Sequence, residues 1–267
     1  MKIAILTGAS SGLGRAFAGK IHEVFPEIEE IWLVARRTER LEALAAETNA
    51  VRMVPVPCDL LNEESYRSLI GRLQAEKPEV QLFINNAGCG FLGAFADSNE
   101  DEQLRSIDLN VRALTRLTRA ALPYMPRGAR VLNTSSIASF SPNPNMAVYS
   151  ATKAYVTFFS RALNDELRAS GRSCTAVCPA PMNTEFLTLG RVAGHSRMFE
   201  RLPYETVDEV SLGALKAAKK RKAVYTPRAF YRFYRFLCRI LPDALLIRLG
   251  RAGGAQQILP ALRLDFA

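Results

Sequence analysis

The sequence predicts an α/β fold, a doubly wound parallel sheet of about seven strands with helices on both faces and a helical C-terminal appendage. Three observations carry that expectation. Short apolar runs alternate with amphipathic stretches along most of the chain. The runs are continuously hydrophobic, as strands covered on both faces require. The first run ends in a glycine-rich turn, "TGASSGLGR", placed before a helical stretch,.

In chain order, "KIAILT" reads as the first strand and a helix starts at about Gly12. "EIWLVA", a helix over "TERLEALAAE", "VRMVPVP", a helix over "EESYRSLIGRL" and "VQLFIN" follow. One long helix is expected over "DEQLRSIDLNVRALTRLTRAAL", then "ARVLNTS", a helix over residues 147–169, "SCTAVCP", a helix over residues 207–218 and "KAVYT",. Beyond Pro227 the pattern changes to helical stretches rich in aromatics and Arg, so residues 1–226 form the sheet unit and 227–267 an extension of it.

Composition narrows the function classes. A chain of 267 residues that is 48% hydrophobic can bury one large core,. No apolar run approaches a membrane span, and "MKIAILTG" is too short and wrongly flanked for a signal peptide, so a cytoplasmic protein is expected,. The five cysteines lack CxxC spacing and fit a reducing compartment,. His22 and His195 have no cluster of ligands beside them, so no metal is assigned,. The net charge of +9 is segregated: residues 211–267 carry twelve Lys/Arg against two acids, and the rest of the chain is near neutral,. No nucleic-acid motif accompanies that charge.

The chemistry sits in short motifs. Gly8, Gly12 and Gly14 lie between a strand and a helix, where backbone N–H groups and the helix dipole can hold a pyrophosphate,. The second strand ends in Ala35, Arg36 and Arg37, where a carboxylate for a ribose 2′-hydroxyl would stand,. Arg at that place accommodates a 2′-phosphate and points to NADP(H), unless the pair only dresses an exposed helix start. "NNAG", Asn85 to Gly88, closes a buried strand. Tyr149 and Lys153 fall at i and i+4 on one helix face, which fits a tuned phenol or, equally by itself, a half-buried Tyr with a snorkelling Lys,.

Taken in order, these glycines, NNAG, Asn110 in "DLNVRAL", Ser136 in "NTSSIAS" and the YxxxK pair resemble the non-extended branch of the short-chain dehydrogenases/reductases over about residues 1–225. The resemblance implies a Rossmann-type domain. It also implies that Tyr149 is the general acid/base, that Lys153 lowers its pKa and binds the nicotinamide ribose, that Ser136 binds the substrate oxygen, and that Asn110 holds a proton-relay water. Its cofactor-binding set falls on Gly8, Ser10, Ser11, Gly12, Leu13, Gly14, Arg36, Arg37, Asp59, Leu60, Asn86, Ala87, Gly88, Tyr149, Lys153, Pro179 and Thr184. Ala180 and Met182 depart from the family pattern, and Ala180 cannot take positive φ as cheaply as Gly, which puts the local backbone path in question,.

The expectation is an NADP(H)-dependent oxidoreductase interconverting a ketone and a secondary alcohol. An apolar, steroid- or lipid-like substrate is suggested by Phe91, Phe95, Phe140, Met146, Phe186 and Met198, and a homodimer or homotetramer is expected. The competing class is a catalytically idle NADP(H)-binding regulator. In the tail, Arg228, Arg232, Arg235 and Arg239 form a stripe with Phe230, Phe233, Tyr234, Leu237 and Leu241 mainly opposite. That pattern fits a cover for the substrate mouth, a subunit interface or a peripheral membrane contact.

Overall fold

A computed structural model of the chain describes residues 1–47, 50–186 and 203–252, with side chains to residue 248. Residues 187–202, with His195 and Met198, and residues 253–267 lie outside the described residues.

The seven expected strands form one parallel sheet. They are β1 (Lys2–Thr7), β2 (Glu30–Ala35), β3 (Arg52–Pro57), β4 (Glu79–Asn85), β5 (Arg130–Thr134), β6 (Ser173–Val177) and β7 (Val224–Tyr225), in the order β3-β2-β1-β4-β5-β6-β7. Pro55 and Pro57 are tolerated because β3 is an edge, where a missing N–H breaks no second ladder,. The chain reverses its direction of travel through the sheet between β1 and β4, which opens a crevice at the carboxyl ends of those two strands,.

Side chains of period two divide the core between the faces. Ala4 and Leu6 of β1 pack on one side, with Phe17 and Ile21 of α1 (Gly12–Val24), Leu41 of α2 (Thr38–Ala46) and Leu215 of α7 (Val207–Lys219),. Ile3 and Ile5 pack on the other, with Leu69 and Leu73 of α3 (Glu63–Glu76), Leu117 of α5 (Leu114–Ala121) and Leu163 of α6 (Ala147–Glu166). Unlike the apolar strands, these helices present one stripe each, which is why their period was readable.

Two elements differ from expectation. The long helix expected around Asn110 is α4 (Glu100–Ile107), a π-helical turn (Asp108–Ala113) and α5. The widened turn places Asn110, almost fully buried, against the sheet end, and a hydrophobicity pattern does not report that change of pitch,. In the tail, α8 (Ala229–Ile240) buries Tyr231, which donates to Pro203 O at 2.7 Å, while Tyr234 pairs with Ser141 at 2.7 Å. Its Arg stripe is not one free face, since Arg228 pairs with Glu209 and Arg235 is half-buried and donates to Thr226. Helix α9 (Asp243–Ala252) follows.

Candidate active site

The crevice is built from the end of β1 outward. Thr7 Oγ1, buried, donates to Ile84 O and accepts from the N–H groups of Asn86 and Ala87, each at 3.0 Å, which joins β1 to β4 at the switch point. Asn86 adds its amide to the carbonyls of Thr7 and Gly8, and its Oδ1 accepts from Thr134 at 3.2 Å. Asn85, by contrast, belongs to the core, donating to Thr118 and Asn133.

The glycines of the first turn are required by contact and by dihedral angle. Gly8 and Gly12 have φ of 67° and 51°, a region that L side chains rarely occupy,. At Gly14 a Cβ would collide with the carbonyl oxygen of Gly8, and at Gly12 it would press on the side chain of Thr184. Ser11 makes no side-chain cap at the start of α1, and its first turn carries no acid. Orphan N–H groups therefore face the crevice with nothing negative beside them, which suits a diphosphate. Leu13 is buried beneath this turn, and Ser10 is half-buried at its rim. Asp59 caps the turn after β3, accepting from Leu61 N at 3.0 Å, with Leu60 buried next to it.

Arg37 reaches back across the turn, donating to Ser10 at 3.1 Å and Ser11 at 3.0 Å. It also pairs with Glu185 at 3.0 Å, and Arg40 binds the other oxygen of the same carboxylate at 2.6 Å. Arg36 is exposed beside them. The acidic partner and Arg40 were not part of the sequence expectation, because their meeting depends on where the segment after β6 returns.

On the other side of the crevice, Ser136 follows β5 and Tyr149 lies in the first turn of α6. The Ser136 hydroxyl accepts from Ala138 N at 3.1 Å and stands near enough to the Tyr149 phenol to favour its charged form. Lys153 lies one turn further on, its Nζ donating to Thr134 O at 2.8 Å and standing 5.8 Å from the centroid of the Tyr149 ring. Gly88 has no room for a side chain: a Cβ would lie 2.8 Å from Asn110 Oδ1 and 3.4 Å from Lys153 Nζ. Asn110 binds Cys89 through both Oδ1 and Nδ2, and it donates to Thr152, whose hydroxyl donates to Tyr149 O. The side chain therefore acts first as a tie between the loop after β4 and α6.

Sequence alone also missed Gly90, whose absent Cβ is what lets the Tyr149 ring approach, and Leu92, which packs beside that ring with Met146 and Phe186. The Phe186 ring lies 5.7 Å from that of Tyr149. Phe140 packs instead against Ile137, Ala180 and Tyr231, Phe91 is half-buried, and Phe95 is exposed. Pro179 and Ala180 are buried, and Ala180 N donates to the carboxylate of Glu205 at 2.9 Å without taking positive φ. The substitution for Gly thus leaves the backbone unstrained.

Burial governs the electrostatics. It pushes the Tyr149 phenol up to about 12 against the lowering effect of the nearby Ser136 hydroxyl, and it pushes Lys153 down to about 8,. The expected lowering of the phenol by Lys153 does not appear: burial dominates both groups, because desolvation disfavours both charged forms,. Cys89 is likewise raised by burial, opposed by its hydrogen bond to Ser106 and by the charges of Arg105, Lys153 and Arg36. Among the described residues no group of His, Cys, Asp and Glu could hold a metal.

A glycine turn at a switch point, facing a half-buried Ser and a buried Tyr and Lys across the crevice, is the arrangement of a dinucleotide-dependent oxidoreductase,. The chain belongs to the short chain dehydrogenase family, whose pattern it matches over residues 2–191. It is 34% identical over 209 residues to sulfoacetaldehyde reductase 2 of Chromohalobacter salexigens, covering 76% of this chain and 81% of that one. A short-chain dehydrogenase from Sphingobium yanoikuyae in complex with NADPH superimposes with a TM-score of 0.76 at 30% identity, covering 100% of this chain and 98% of that one. The bulky-bulky ketone specific alcohol dehydrogenase of Comamonas testosteroni gives 0.70 at 27% identity, covering 100% and 97%.

Proposed function

We propose that the protein is an NADP(H)-dependent oxidoreductase that interconverts a bulky apolar ketone and its secondary alcohol, with Tyr149 as general acid/base. The observation that carries this reading is the buried Tyr149 with Lys153, also buried, one helical turn away and 5.8 Å from its ring centroid. A catalytically idle cofactor-binding regulator has no physical need for that set. A steroid- or lipid-like substrate agrees with the apolar surround of Tyr149 formed by Ala138, Met146, Leu92 and Phe186. The Comamonas testosteroni protein, by its own description specific for bulky ketones, supports the same class.

The cradle residues Gly8, Ser10, Ser11, Gly12, Leu13 and Gly14 would hold the diphosphate, with Asp59, Leu60, Asn86, Ala87 and Gly88 along the adenosine side. Pro179 and Thr184 would hold the nicotinamide end, and Arg36 and Arg37 the 2′-phosphate. When bound, the nicotinamide supplies or accepts a hydride at the substrate carbon. Ser136 would orient the substrate oxygen by hydrogen bonding. Tyr149, held protonated at neutral pH by its burial, would give its proton to the developing alkoxide, a far stronger base than a phenolate,. The raised phenol thus arms the reductive direction. Lys153 would stabilise the phenolate left behind and, with Asn110, pass the replacement proton.

Exposed apolar residues on adjoining helices, Leu104 and Ile107 of α4 with Tyr155 and Phe158 of α6, support a homodimer or homotetramer through that face,. The stripe Phe230, Phe233, Phe236 and Ile240 on α8 is exposed beside Arg232 and Arg239, which supports peripheral contact with an anionic membrane,. No described helix is long and apolar enough to cross one.

A panel of ketones, each offered with NADPH and with NADH to the purified protein, tests the functional reading. Cofactor consumption with bulky apolar ketones, and much less with NADH, is expected. Equal use of both cofactors would remove the NADP(H) assignment, and no turnover of any ketone would favour the regulator.

A further inference from the structure

The ion triad at the adenosine end joins residues far apart in sequence. Glu185 offers one carboxylate oxygen to Arg37 at 3.0 Å and the other to Arg40 at 2.6 Å. Arg37 also donates through Nε and its other terminal nitrogen to Ser10 and Ser11, so its fork is held by the glycine turn on one side and by Glu185 on the other. Two guanidinium groups converging on one anion form the same kind of site that a phosphate monoester would take. Phe186, the next residue, packs on Tyr149 and so holds the Glu185 backbone in place. The carboxylate is therefore presented to the arginines at high local concentration.

We propose, on the reading that this site takes a 2′-phosphate, that Glu185 is an internal competitor for Arg37 and Arg40 and sets the selectivity between phosphorylated and unphosphorylated nucleotides. A 2′-phosphate cannot share these arginines with the carboxylate, because two anions at that distance repel one another. It must displace Glu185 before it pairs. The affinity seen for a 2′-phosphorylated nucleotide is then its intrinsic affinity reduced by the cost of that exchange, whereas a nucleotide with a free 2′-hydroxyl bears no such cost. All three side chains are partly exposed, at 38%, 47% and 42%, so water moderates the exchange,.

The test uses adenosine 2′,5′-bisphosphate and adenosine 5′-monophosphate, which lack the nicotinamide and so leave Thr184 and Tyr149 out of the measurement. Calorimetric titration of the full chain is compared with Glu185→Gln and with Glu185→Asp, which keeps the charge but withdraws it. Glu185→Gln is expected to bind the bisphosphate about fivefold more tightly, with monophosphate affinity changed by less than about twofold and the Asp variant intermediate. Unchanged or weaker bisphosphate binding by Glu185→Gln would overturn the proposal. Weaker monophosphate binding would overturn it too, by making Glu185 an acceptor for the ribose hydroxyl. If Glu185→Gln does not fold, the Asp variant decides by the same sign. If the unsubstituted protein shows no preference for the bisphosphate, the NADP(H) reading fails separately. In that event a preference gained in Glu185→Gln still supports competition, and none gained refutes it.

Discussion

Lys153 is nearly excluded from solvent, with one hydrogen bond to Thr134 O and its ammonium form disfavoured by burial. A Lys whose pKa falls from 10.5 unfolded to about 8 folded binds fewer protons in the native state between those values,. Stability contributed by this group therefore rises with pH across that window, and below it the full cost of the buried charge is present. Relative to a Lys153→Met variant, the unsubstituted protein is expected to gain on the order of 3 kcal/mol between pH 8 and 10.5,. Denaturant unfolding of both proteins at several pH values, without cofactor, measures it. A stability difference that stays flat over that range would contradict the burial account. At this scale the three glycines of the turn were legible because they are rare between a strand and a helix, whereas the Tyr149/Lys153 spacing took its meaning only from the other motifs. It was silent on Thr134 O, a backbone group, and on Glu185, whose role depends on a fold-back across the sheet.

Elements were legible when one hydrophobic period ran their whole length. The strands β1 and β2 match the expected runs "KIAILT" and "EIWLVA" end for end, because covered parallel strands are apolar throughout,. The π-helical turn at Asn110 was not, since one wider turn barely changes the pattern around it. In α8 the reading of faces was wrong in part. Tyr231 faces the core, while Phe230, Phe233, Phe236 and Ile240 are 55%, 59%, 56% and 60% exposed. The reason is that α8 has three faces, with the buried tyrosine and the basic residues on two of them, and a two-sided wheel merges the apolar pair. Aromatic side chains left in water beside Arg232 and Arg239 are expected to enter the headgroup layer of an anionic bilayer, each nearby basic residue contributing about 1 kcal/mol. Flotation with phosphatidylserine-containing vesicles at low salt should carry the full chain, and a Phe233→Ser, Phe236→Ser double variant should stay behind. Equal flotation of both, or of neither, would contradict a membrane role for this stripe.

At the scale of the molecule, the candidate site lies where the topology opens,. A sheet that reverses at β1 and β4 leaves a crevice at its carboxyl edge, and the glycine turn, the NNAG strand end, Ser136 and α6 all meet there,. The first 225 residues announced that arrangement because each piece is local in sequence and sits at a strand end. The meeting of Glu185 with Arg37 and Arg40 could not be read, because it depends on long-range packing, whereas Phe186 was expected near the site and packs on Tyr149. The central claim is that the buried phenol donates the proton, and Tyr149→Phe tests it most directly. The substitution keeps the ring against Gly90 and Phe186 and deletes only the hydroxyl. Ketone turnover with NADPH should fall by about 10²–10⁴-fold, while the NADPH dissociation constant, read by fluorescence titration, stays within about twofold. A variant that retained more than about a tenth of the turnover would show that another group supplies the proton.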